Sequence, residues 1–470
     1  MKKDSFAKTA IMSFQHMFAM LGATMLVPIL AGMSLPVALV AAGLGTILFY
    51  FLTKKKVPVV LGSSFAFLPA LITVVGGGEF AIGSPEWDQR MACVMIALVL
   101  AGAVYAILAG VIKSVGVSKV KKLFPPIVVG PVIIIIGMIL APKMFWNNII
   151  GNYDTTLGWG YSAPWQQWTA AIVTALTIIL VNAFAKPKSF FKVIPILIGF
   201  IVGYIYSAII GLVNINFSGD IVIFQQACEI WGFWGKDGLG NIDPSMLTSA
   251  ILMIVPLAIV TFMEHLGDIS ANSTVCGQDF MVDPGLHRTV LGDGAATALS
   301  GLLGGPANTT YGENTAVLAI TKNYNPRNIF YAACIAVVLG IFVPFSEILN
   351  SIPSPVVGGA SIVLFGMISA SGLRSLVDGK VDFGDSKNLI VVSITLAVGL
   401  GLGAMSLAGD ITGNSALKIM IGAVEISPLA IATVLAIVLN LIIPNTKPVK
   451  EETDPHITLK SDSVDINDVK

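Results

Sequence analysis

Long apolar runs separated by short polar stretches occupy most of the chain. A membrane-spanning helix needs about 20 consecutive apolar residues. Runs of roughly this length lie near 9–31, 34–53, 91–112, 124–143, 167–186, 191–213, 247–267, 287–304, 327–346, 355–372, 388–406 and 424–443. Two further segments, near 58–75 and 308–321, are short and interrupted by polar residues. The pattern therefore predicts an all-α polytopic membrane protein with fourteen transmembrane segments.

Composition agrees with this class and excludes several others. Of the 470 residues, 55% are hydrophobic and 11% are charged, whereas soluble proteins have about 25% charged residues. The net charge of zero gives no indication of a nucleic-acid partner. The four cysteines lack the spacing of a metal cluster, so we expect no metal site. MEHLGD (263–268) lacks the second histidine of a zinc-protease helix, and we expect no enzyme activity.

Basic residues predict the orientation of the chain in the membrane. Cytoplasmic loops carry an excess of Lys and Arg, and here the basic loops are 54–56, 113–122, 186–192 and 447–450. The opposite loops, 79–88, 144–168 and 229–238, are acidic or aromatic. We therefore expect a multi-pass protein of the cytoplasmic membrane. Both its N-terminus (1–8) and its tail (446–470) would lie in the cytoplasm.

The sequence also contains a weak internal repeat. Segments 1, 3 and 5 match segments 8, 10 and 12 in the pairs 21–24 with 266–269, 63–65 with 309–311, and 123–138 with 352–367. A unit of seven segments therefore occurs twice, and the odd number turns the second copy upside down. Inverted repeats with short interrupted segments at corresponding positions are typical of transporters.

The two interrupted segments predict the location of a binding site. GSSFAF (62–67) and NTTYGEN (308–314) are rich in small hydroxyl residues. Non-helical backbone at membrane depth is tolerated only where it is buried in protein or lines a cavity. We expect two short strands near the membrane midplane, each leading into a half-helix. The free N–H groups of the half-helices would point at the place where the two strands cross, which we call the crossing.

Few acidic residues lie at membrane depth. They are Glu264, Asp268 and Glu313, with Asp293 nearer the cytoplasmic end of its segment. Ionisable residues inside a membrane are functional hypotheses by default, and Glu264 and Asp268 share one helix face. Structural alternatives stay open: Glu264 and Asp268 could cap the end of segment 8, and Glu313 could cap its half-helix. His265 points away from Glu264 and is expected to be a packing residue.

Five motifs together resemble the nucleobase–ascorbate transporter family, and within it the bacterial uracil–proton symporters. They are QHMFAMLGATMLVP (15–28), LGSSFAF (61–67), EHLGD (264–268), DPGLHR (283–288) and NTTYGENTAVLAITK (308–322). The resemblance extends from about residue 9 to residue 445. Four positions match the family signature, Glu313, Asn314, Thr321 and Lys322, and Ala316 stands where the family has glycine.

The resemblance implies a division into two domains. Segments 1–4 (9–112) and 8–11 (247–346) would form a core domain. Segments 5–7 (113–213) and 12–14 (347–445) would form a gate domain, with an extracellular loop at 214–246. The substrate would lie between the half-helices of segments 3 and 10, and family members can form homodimers through the gate domain.

The resemblance also implies the site residues. Glu264 and Glu313 correspond to two substrate-binding carboxylates, Phe65 and Gly312 to residues whose backbone amides face the base, and Tyr311 and Ala23 to residues that line the pocket. This chemistry suits uracil, which presents two N–H donors and two carbonyl acceptors around a flat ring. Carboxylates can accept from the donors, half-helix N–H groups can donate to the carbonyls, and aromatic rings can offer apolar faces.

Two features of the sequence disagree about the substrate. Uracil symporters commonly have histidine where this chain has Asp268, and aspartate there resembles the purine and ascorbate branches. Glu313 instead resembles the uracil branch. We predict uracil, with xanthine or uric acid as the alternative. An anion transporter of the same fold is a further alternative, which would favour a net positive pocket.

We expect coupling to protons. Two carboxylates one turn apart in a low-dielectric site repel each other when both are ionised, so one of them is expected to hold a proton. Asp268 or Glu264 would take up that proton with the substrate. The proton gradient would then be the energy source, with no cofactor, and sodium coupling remains an open alternative.

Overall fold

The computed structural model describes residues 6–150, 164–186, 189–192, 194–213, 219–421 and 424–444. The predicted cytoplasmic tail lies wholly outside the described residues, as do the first five residues of the predicted N-terminal segment. Parts of the predicted loops at 144–168, 186–192 and 214–246 also lie outside them.

Helices dominate the described part of the chain. Its first half contains α1 (Phe6–Ala31), α2 (Leu35–Leu52), β1 (Leu61–Ser63), α3 (Leu68–Val75), α4 (Pro85–Val115), α5 (Val117–Leu123), α6 (Pro126–Met144), α7 (Pro164–Phe184) and α8 (Pro195–Ile209). The second half begins with α9 (Ala227–Ile230), α10 (Pro244–Ile254), α11 (Leu257–Cys276), α12 (Leu286–Leu303), β2 (Asn308–Thr310) and α13 (Gly312–Thr321). It continues with α14 (Pro326–Ile341), α15 (Val343–Asn350), α16 (Ser354–Asp378), α17 (Ser386–Thr412), β3 (Met420–Ile421), β4 (Val424–Glu425) and α18 (Pro428–Ile442).

The polytopic helical fold predicted from hydropathy is confirmed. Every predicted full-length segment contains a helix, and the two interrupted segments each contain a short strand followed by a half-helix. Within the described ranges, eight helical stretches are long and apolar enough to span a membrane, and α8, α14 and α18 are shorter apolar helices. Many of the helices begin with proline in the first turn, where its missing N–H costs no hydrogen bond.

The eighth segment differs from its prediction. It is divided at Pro256 into α10 and α11, and α11 continues to Cys276 instead of ending near residue 267. Gly277 ends the helix in the left-handed conformation, with φ of 65°. Glu264 and Asp268 therefore lie in the middle of a helix, and the alternative that they cap its end is wrong.

The helices pack in two groups. In one group α2 and α12 lie against each other, α4 packs on α12, and α14 packs on α1 and α2. In the other, α16 packs against α6, α7 and α8, and α17 packs against α6 and α18. Glycine permits the closest approaches: a Cβ on Gly102 of α4 would lie 2.7 Å from the carbonyl oxygen of Gly294 on α12. The predicted domain boundary at 346/347 falls inside α15.

Candidate functional site

The strands β1 and β2 form an antiparallel pair at the centre of the first helix group. Gly62 pairs with Thr309, flanked by the pairs of Leu61 with Thr310 and Ser63 with Asn308. Because the strands run in opposite directions, the half-helices α3 and α13 leave the pair at opposite ends. The N–H groups in the first turn of each half-helix have no partner within the helix. Donors from two directions therefore face the region of the strand pair.

Neighbouring helices supply hydrogen bonds to the strands at membrane depth. Thr46 of α2 accepts from the N–H of Leu61 at 2.9 Å and donates to its carbonyl oxygen at 3.2 Å. The Asn308 side chain donates to the carbonyl oxygen of Ala41 at 3.1 Å, and Thr297 donates to the Asn308 carbonyl at 2.8 Å. These bonds satisfy extended backbone that would otherwise be costly in a membrane.

Tyr311 fixes the strand pair to α1. Its hydroxyl donates to the carbonyl oxygen of Ser63 at 2.9 Å and accepts from the Thr24 hydroxyl at 3.3 Å. Its ring covers Gly62, where a Cβ would lie 2.4 Å from the Tyr311 Cζ. Tyr311 is buried, and so is Ala23, which precedes Thr24 on α1. Both residues expected to line the pocket therefore lie at this junction.

The predicted carboxylates converge beside the strand pair. Asp268 accepts a hydrogen bond of 2.8 Å from the Thr310 hydroxyl, and its other oxygen lies 3.5 Å from the position a Cβ on Gly312 would take. Glu313 occupies the first turn of α13, where a carboxylate interacts favourably with the helix dipole. Glu264, Asp268 and Glu313 are half-buried, and Gly312 is exposed. Helix α11, strand β2 and the start of α13 thus meet at one accessible place.

Glu264 lacks the hydrogen bonds that a buried carboxylate needs. Its Oε2 is buried and has no hydrogen-bond partner among the residues that the structure describes. The charges of Asp268, Asp293 and Glu313 all act on it. A buried acceptor without a partner is costly, so this oxygen is suited to accept a hydrogen bond from a ligand.

Asp293 on α12 lies next to His265 of α11. It is fully buried, and its Oδ2 is 3.4 Å from the Nδ1 of His265, which is also fully buried. On the same side of α11, Thr261 accepts a short hydrogen bond from Tyr105. His265 is therefore more than the packing residue expected from its position, because it faces a carboxylate. Its partner lies on another helix and could not be found from spacing along the chain.

Of the signature residues, Asn314 joins α13 to α1, whereas Thr321 and Lys322 lie at the end of the half-helix. The Asn314 side chain donates to the carbonyl oxygen of His16 on α1 at 2.9 Å and lies 3.2 Å from the His16 ring. Lys322 ends the half-helix in the left-handed conformation, and the Thr321 hydroxyl donates to the Val317 carbonyl at 2.8 Å. The sequence patterns predicted no role for His16, although it lies in the motif QHMFAMLGATMLVP (15–28).

Phe65 connects the two helix groups. Its ring meets the ring of Phe365 on α16 edge to face, with centroids 5.5 Å apart. Both side chains are buried. Phe365 was not among the predicted site residues, although it lies in the repeat match at 352–367. This aromatic contact therefore joins α16 to the segment between β1 and α3.

Comparison with known proteins identifies the family. Residues 7–407 match the model of a permease family. A uracil permease of Bacillus caldolyticus is 40% identical over 441 residues, covering 92% of this chain and 91% of that protein. A uracil permease of Escherichia coli K12 is 32% identical over 468 residues, covering 99% of this chain and 98% of that protein.

Solved structures with the same fold are far more distant in sequence. The transmembrane domain of a cyanobacterium bicarbonate transporter, BicA, superposes with a TM-score of 0.57 at 14% identity, covering 92% of this chain and 96% of that one. Murine Slc26a9, an anion transporter in the inward-facing state, has a TM-score of 0.58 at 12% identity, with coverage of 91% and 73%. At these identities the likeness concerns the fold alone.

Proposed function

This chain belongs to the permease family of nucleobase–ascorbate transporters, and we propose that it carries uracil across the cytoplasmic membrane together with protons. Relatives named uracil permease, at 32% to 40% identity over nearly the whole chain, support the substrate. The observation that carries the proposal is the partnerless Glu264 oxygen near Glu313, where Gly312 is exposed.

Uracil fits this set of donors and acceptors. Glu264 and Glu313 would accept hydrogen bonds from its two ring N–H groups. The N–H groups at the starts of α3 and α13, close to Phe65 and Gly312, would donate to its carbonyl oxygens. The Phe65 ring would contact the flat base. With these bonds formed, few polar groups of the buried base would lack a partner, as tight binding requires.

Proton coupling is proposed for Asp268 together with Glu264. The two carboxyl groups lie one turn apart on α11, and Asp268 already has a donor in Thr310. Crowded carboxylates share protons because they repel each other when all are ionised. One of them would take up a proton with uracil and release it on the other side. The proton gradient would supply the energy.

The two helix groups support an alternating-access mechanism. The first group (α1–α4 with α10–α14) corresponds to the proposed core domain, and the second (α6–α8 with α16–α18) to the proposed gate domain. Movement of the core against the gate would change which face of the membrane reaches the carboxylates. The Phe65–Phe365 contact lies on the boundary that would open. The homodimer and the cytoplasmic location of both termini stay predictions.

Uptake of labelled uracil into proteoliposomes tests the function directly. An inward proton gradient should drive uracil accumulation, and replacing sodium in the medium should leave the uptake unchanged. Unlabelled uracil should compete and xanthine should not. Accumulation that requires sodium would contradict the proposed coupling, and an absence of uracil uptake would contradict the substrate.

Transport of a purine such as xanthine or uric acid is the second candidate. Asp268, where uracil symporters commonly have histidine, favours it. In the same assay, uptake of xanthine that uracil does not inhibit would select this candidate. An anion transporter is less well supported, because three carboxylates surround the crossing and would repel an anion.

A further inference from the structure

The ends of three helices meet at the face of the first helix group that its basic loops predict to be cytoplasmic. Along α2, Gly45 lies against Ala296 and Phe49 lies against Gly292, so α12 runs antiparallel to α2. Tyr105 of α4 packs against the same stretch of α12. The start of α12 therefore lies beside the end of α2 and near the end of α4.

Four basic residues gather at this junction, and we call them the basic cluster. They are Lys54 just after α2, Lys113 in the last turn of α4, and His287 and Arg288 in the first turn of α12. The charges of the other three residues act on the His287 ring, so they lie close around it. The Arg288 guanidinium donates to the Leu52 carbonyl oxygen at 3.2 Å, which orients it towards the end of α2. Two members of the cluster belong to the motif DPGLHR (283–288), which the proposed transport mechanism does not use.

The basic cluster has no acidic partner in the part of the chain that the structure describes. The side chains of Lys54 and Lys113 are exposed, and neither makes a hydrogen bond or an ion pair with another described residue. Asp283, just before α12, pairs instead with Lys56, whose Nζ lies 2.5 Å from its Oδ2. Arg288 has further N–H donors besides the one that meets the Leu52 carbonyl. Because like charges held close together repel each other, the cluster is suited to bind an anion.

The turn after α2 holds its lysines in an unusual backbone conformation. Lys54 and Lys55 have φ of 56° and 61°, in the left-handed region that glycine adopts without strain. Their N–H groups donate to the carbonyl oxygens of Phe51 and Tyr50 at 3.0 Å and 2.8 Å, which keeps the turn against the end of α2. Lysine side chains are thus presented where glycine would fit the backbone better, and such an outlier motivates a functional hypothesis.

Exposed apolar side chains adjoin the basic cluster. Leu291 follows His287 by one helical turn and is exposed, as is Val282 just before α12. Phe51 is 53% exposed, and the Lys55 ammonium lies 5.3 Å from the centroid of its ring. In a membrane such side chains contact the acyl chains, and basic groups directly beside them reach the level of the lipid headgroups. A phosphate dissolved in the cytoplasm would gain nothing from this apolar surround.

We propose that the basic cluster binds the phosphate of an anionic phospholipid in the cytoplasmic leaflet. Lys54 and Lys113 contribute positive charge from two helices, and the Arg288 guanidinium donates from a fixed orientation. Anionic lipids of this leaflet attract basic residues at the membrane surface. The bound lipid connects the first helix group, which contains the proposed uracil site, to one leaflet. The lipid site does not depend on uracil being the transported solute.

Native mass spectrometry of the full-length chain in detergent tests this binding. The chain is titrated with phosphatidylglycerol, which is anionic, or with phosphatidylcholine of the same acyl chains, and the lipids bound to each molecule are counted. We expect at least one phosphatidylglycerol molecule to bind more tightly than phosphatidylcholine does. Inorganic phosphate in excess should not displace it, because a free phosphate has no acyl chains to contact the apolar side chains.

Two pairs of substitutions separate the basic cluster from the overall charge of this face. Lys54→Gln with Lys113→Gln should lower the affinity for phosphatidylglycerol by at least about fivefold, because two basic side chains near the phosphate are lost. The affinity for phosphatidylcholine should stay the same. Lys119→Gln with Lys122→Gln is the matched control: it removes two exposed lysines from the loop that follows α4 and should leave both affinities unchanged.

Equal affinities of the wild-type chain for the two lipids would overturn the site. So would an unchanged affinity for phosphatidylglycerol in Lys54→Gln with Lys113→Gln, or an equal loss of affinity in the control pair. Displacement of the lipid by inorganic phosphate would overturn the lipid as the ligand and assign the cluster to a free phosphate. If the double variant does not fold, Lys113→Gln alone is measured, and an unchanged affinity there would also overturn the proposal.

Discussion

The Thr310 hydroxyl donates a 2.8 Å hydrogen bond to Asp268, and this bond joins the strand β2 to the helix α11 next to the start of α13. The two residues are 42 positions apart in the sequence. Glu313 and Asp293 exert their charges on the same carboxyl group. Asp268 thus has both a donor and acidic neighbours, an arrangement suited to a group that gains and loses a proton during transport.

Asp268→Asn should separate uracil exchange from proton coupling. Asparagine keeps a polar group of the same size but cannot release a proton. We expect exchange of labelled for unlabelled uracil to persist and accumulation driven by an inward proton gradient to disappear. Both are measured in proteoliposomes across a range of external pH.

The Thr310 hydroxyl provides a matched pair of variants for that measurement. Thr310→Ser keeps the donor to Asp268 and should retain the pH dependence of uptake. Thr310→Val removes the donor and should shift the pH dependence of uptake. Uptake by Asp268→Asn with an unchanged pH dependence would remove Asp268 from the coupling step.

Replacing either proposed substrate carboxylate should weaken uracil binding. Glu264→Gln or Glu313→Gln keeps one acceptor oxygen but loses the negative charge, and its amide NH₂ donates where the carboxylate accepted. A hydrogen bond to a charged group contributes about 1.5–3 kcal/mol, so its complete loss would lower the affinity by roughly 10- to 150-fold, and we expect a decrease up to this size. Calorimetry in detergent measures the dissociation constant. Glu79→Gln changes an exposed glutamate in a loop and is the control. Unchanged affinity in both variants would refute the placement of uracil between these side chains.

Gly62→Ala should destabilise the strand pair. The new methyl group would lie 2.4 Å from the Cζ of Tyr311 and 2.7 Å from the Thr24 hydroxyl oxygen, so the ring or the strand must move. Overpacking of this kind costs about 1–3 kcal/mol, and thermal unfolding in detergent should occur at a lower temperature. Gly110→Ala, where a Cβ meets open space, is the control and should not lower the unfolding temperature. Equal unfolding temperatures for both variants would contradict the close packing at Gly62.

The cap of α10 should make stability depend on pH. The backbone N–H and the hydroxyl of Ser245 donate to Asp243 and hold the pKa of that carboxyl below its ordinary value of 3.8. The stabilisation is therefore complete above the ordinary value and is lost as the pH falls through the lowered one. Asp243→Asn still caps the helix but lacks this titration.

Unfolding temperatures measured from pH 6 down to pH 3 test the cap. The wild-type chain should lose more stability over the acidic part of this range than Asp243→Asn does. Asp243→Ala, which removes the cap, should be less stable than either at pH 6. Parallel curves for the wild-type chain and Asp243→Asn would show that the capping bonds do not favour the charged carboxyl.

Hydropathy identified the membrane segments because a spanning helix must present apolar side chains to lipid over its whole length. It failed at the end of α11, where polar residues follow Asp268. Asn272 in this stretch is fully buried, and its side chain donates to the Pro58 carbonyl at 3.3 Å and to the Thr315 hydroxyl at 3.2 Å. The helix continues because its polar groups find partners in the protein, which a hydropathy pattern does not reveal.

The sequence by itself determined the class of protein, the two interrupted segments and the acidic residues that are candidates for function. Each depends on local chemistry: long apolar runs, small hydroxyl residues, and carboxylates spaced one helical turn apart. Only the tertiary structure decided which groups these residues meet. Asn314 meets His16 across 298 positions, and Lys143 meets Asp410 across 267. Such contacts exist because the helices pack against one another and around the strand pair. They cannot be predicted from the spacing of residues along the chain.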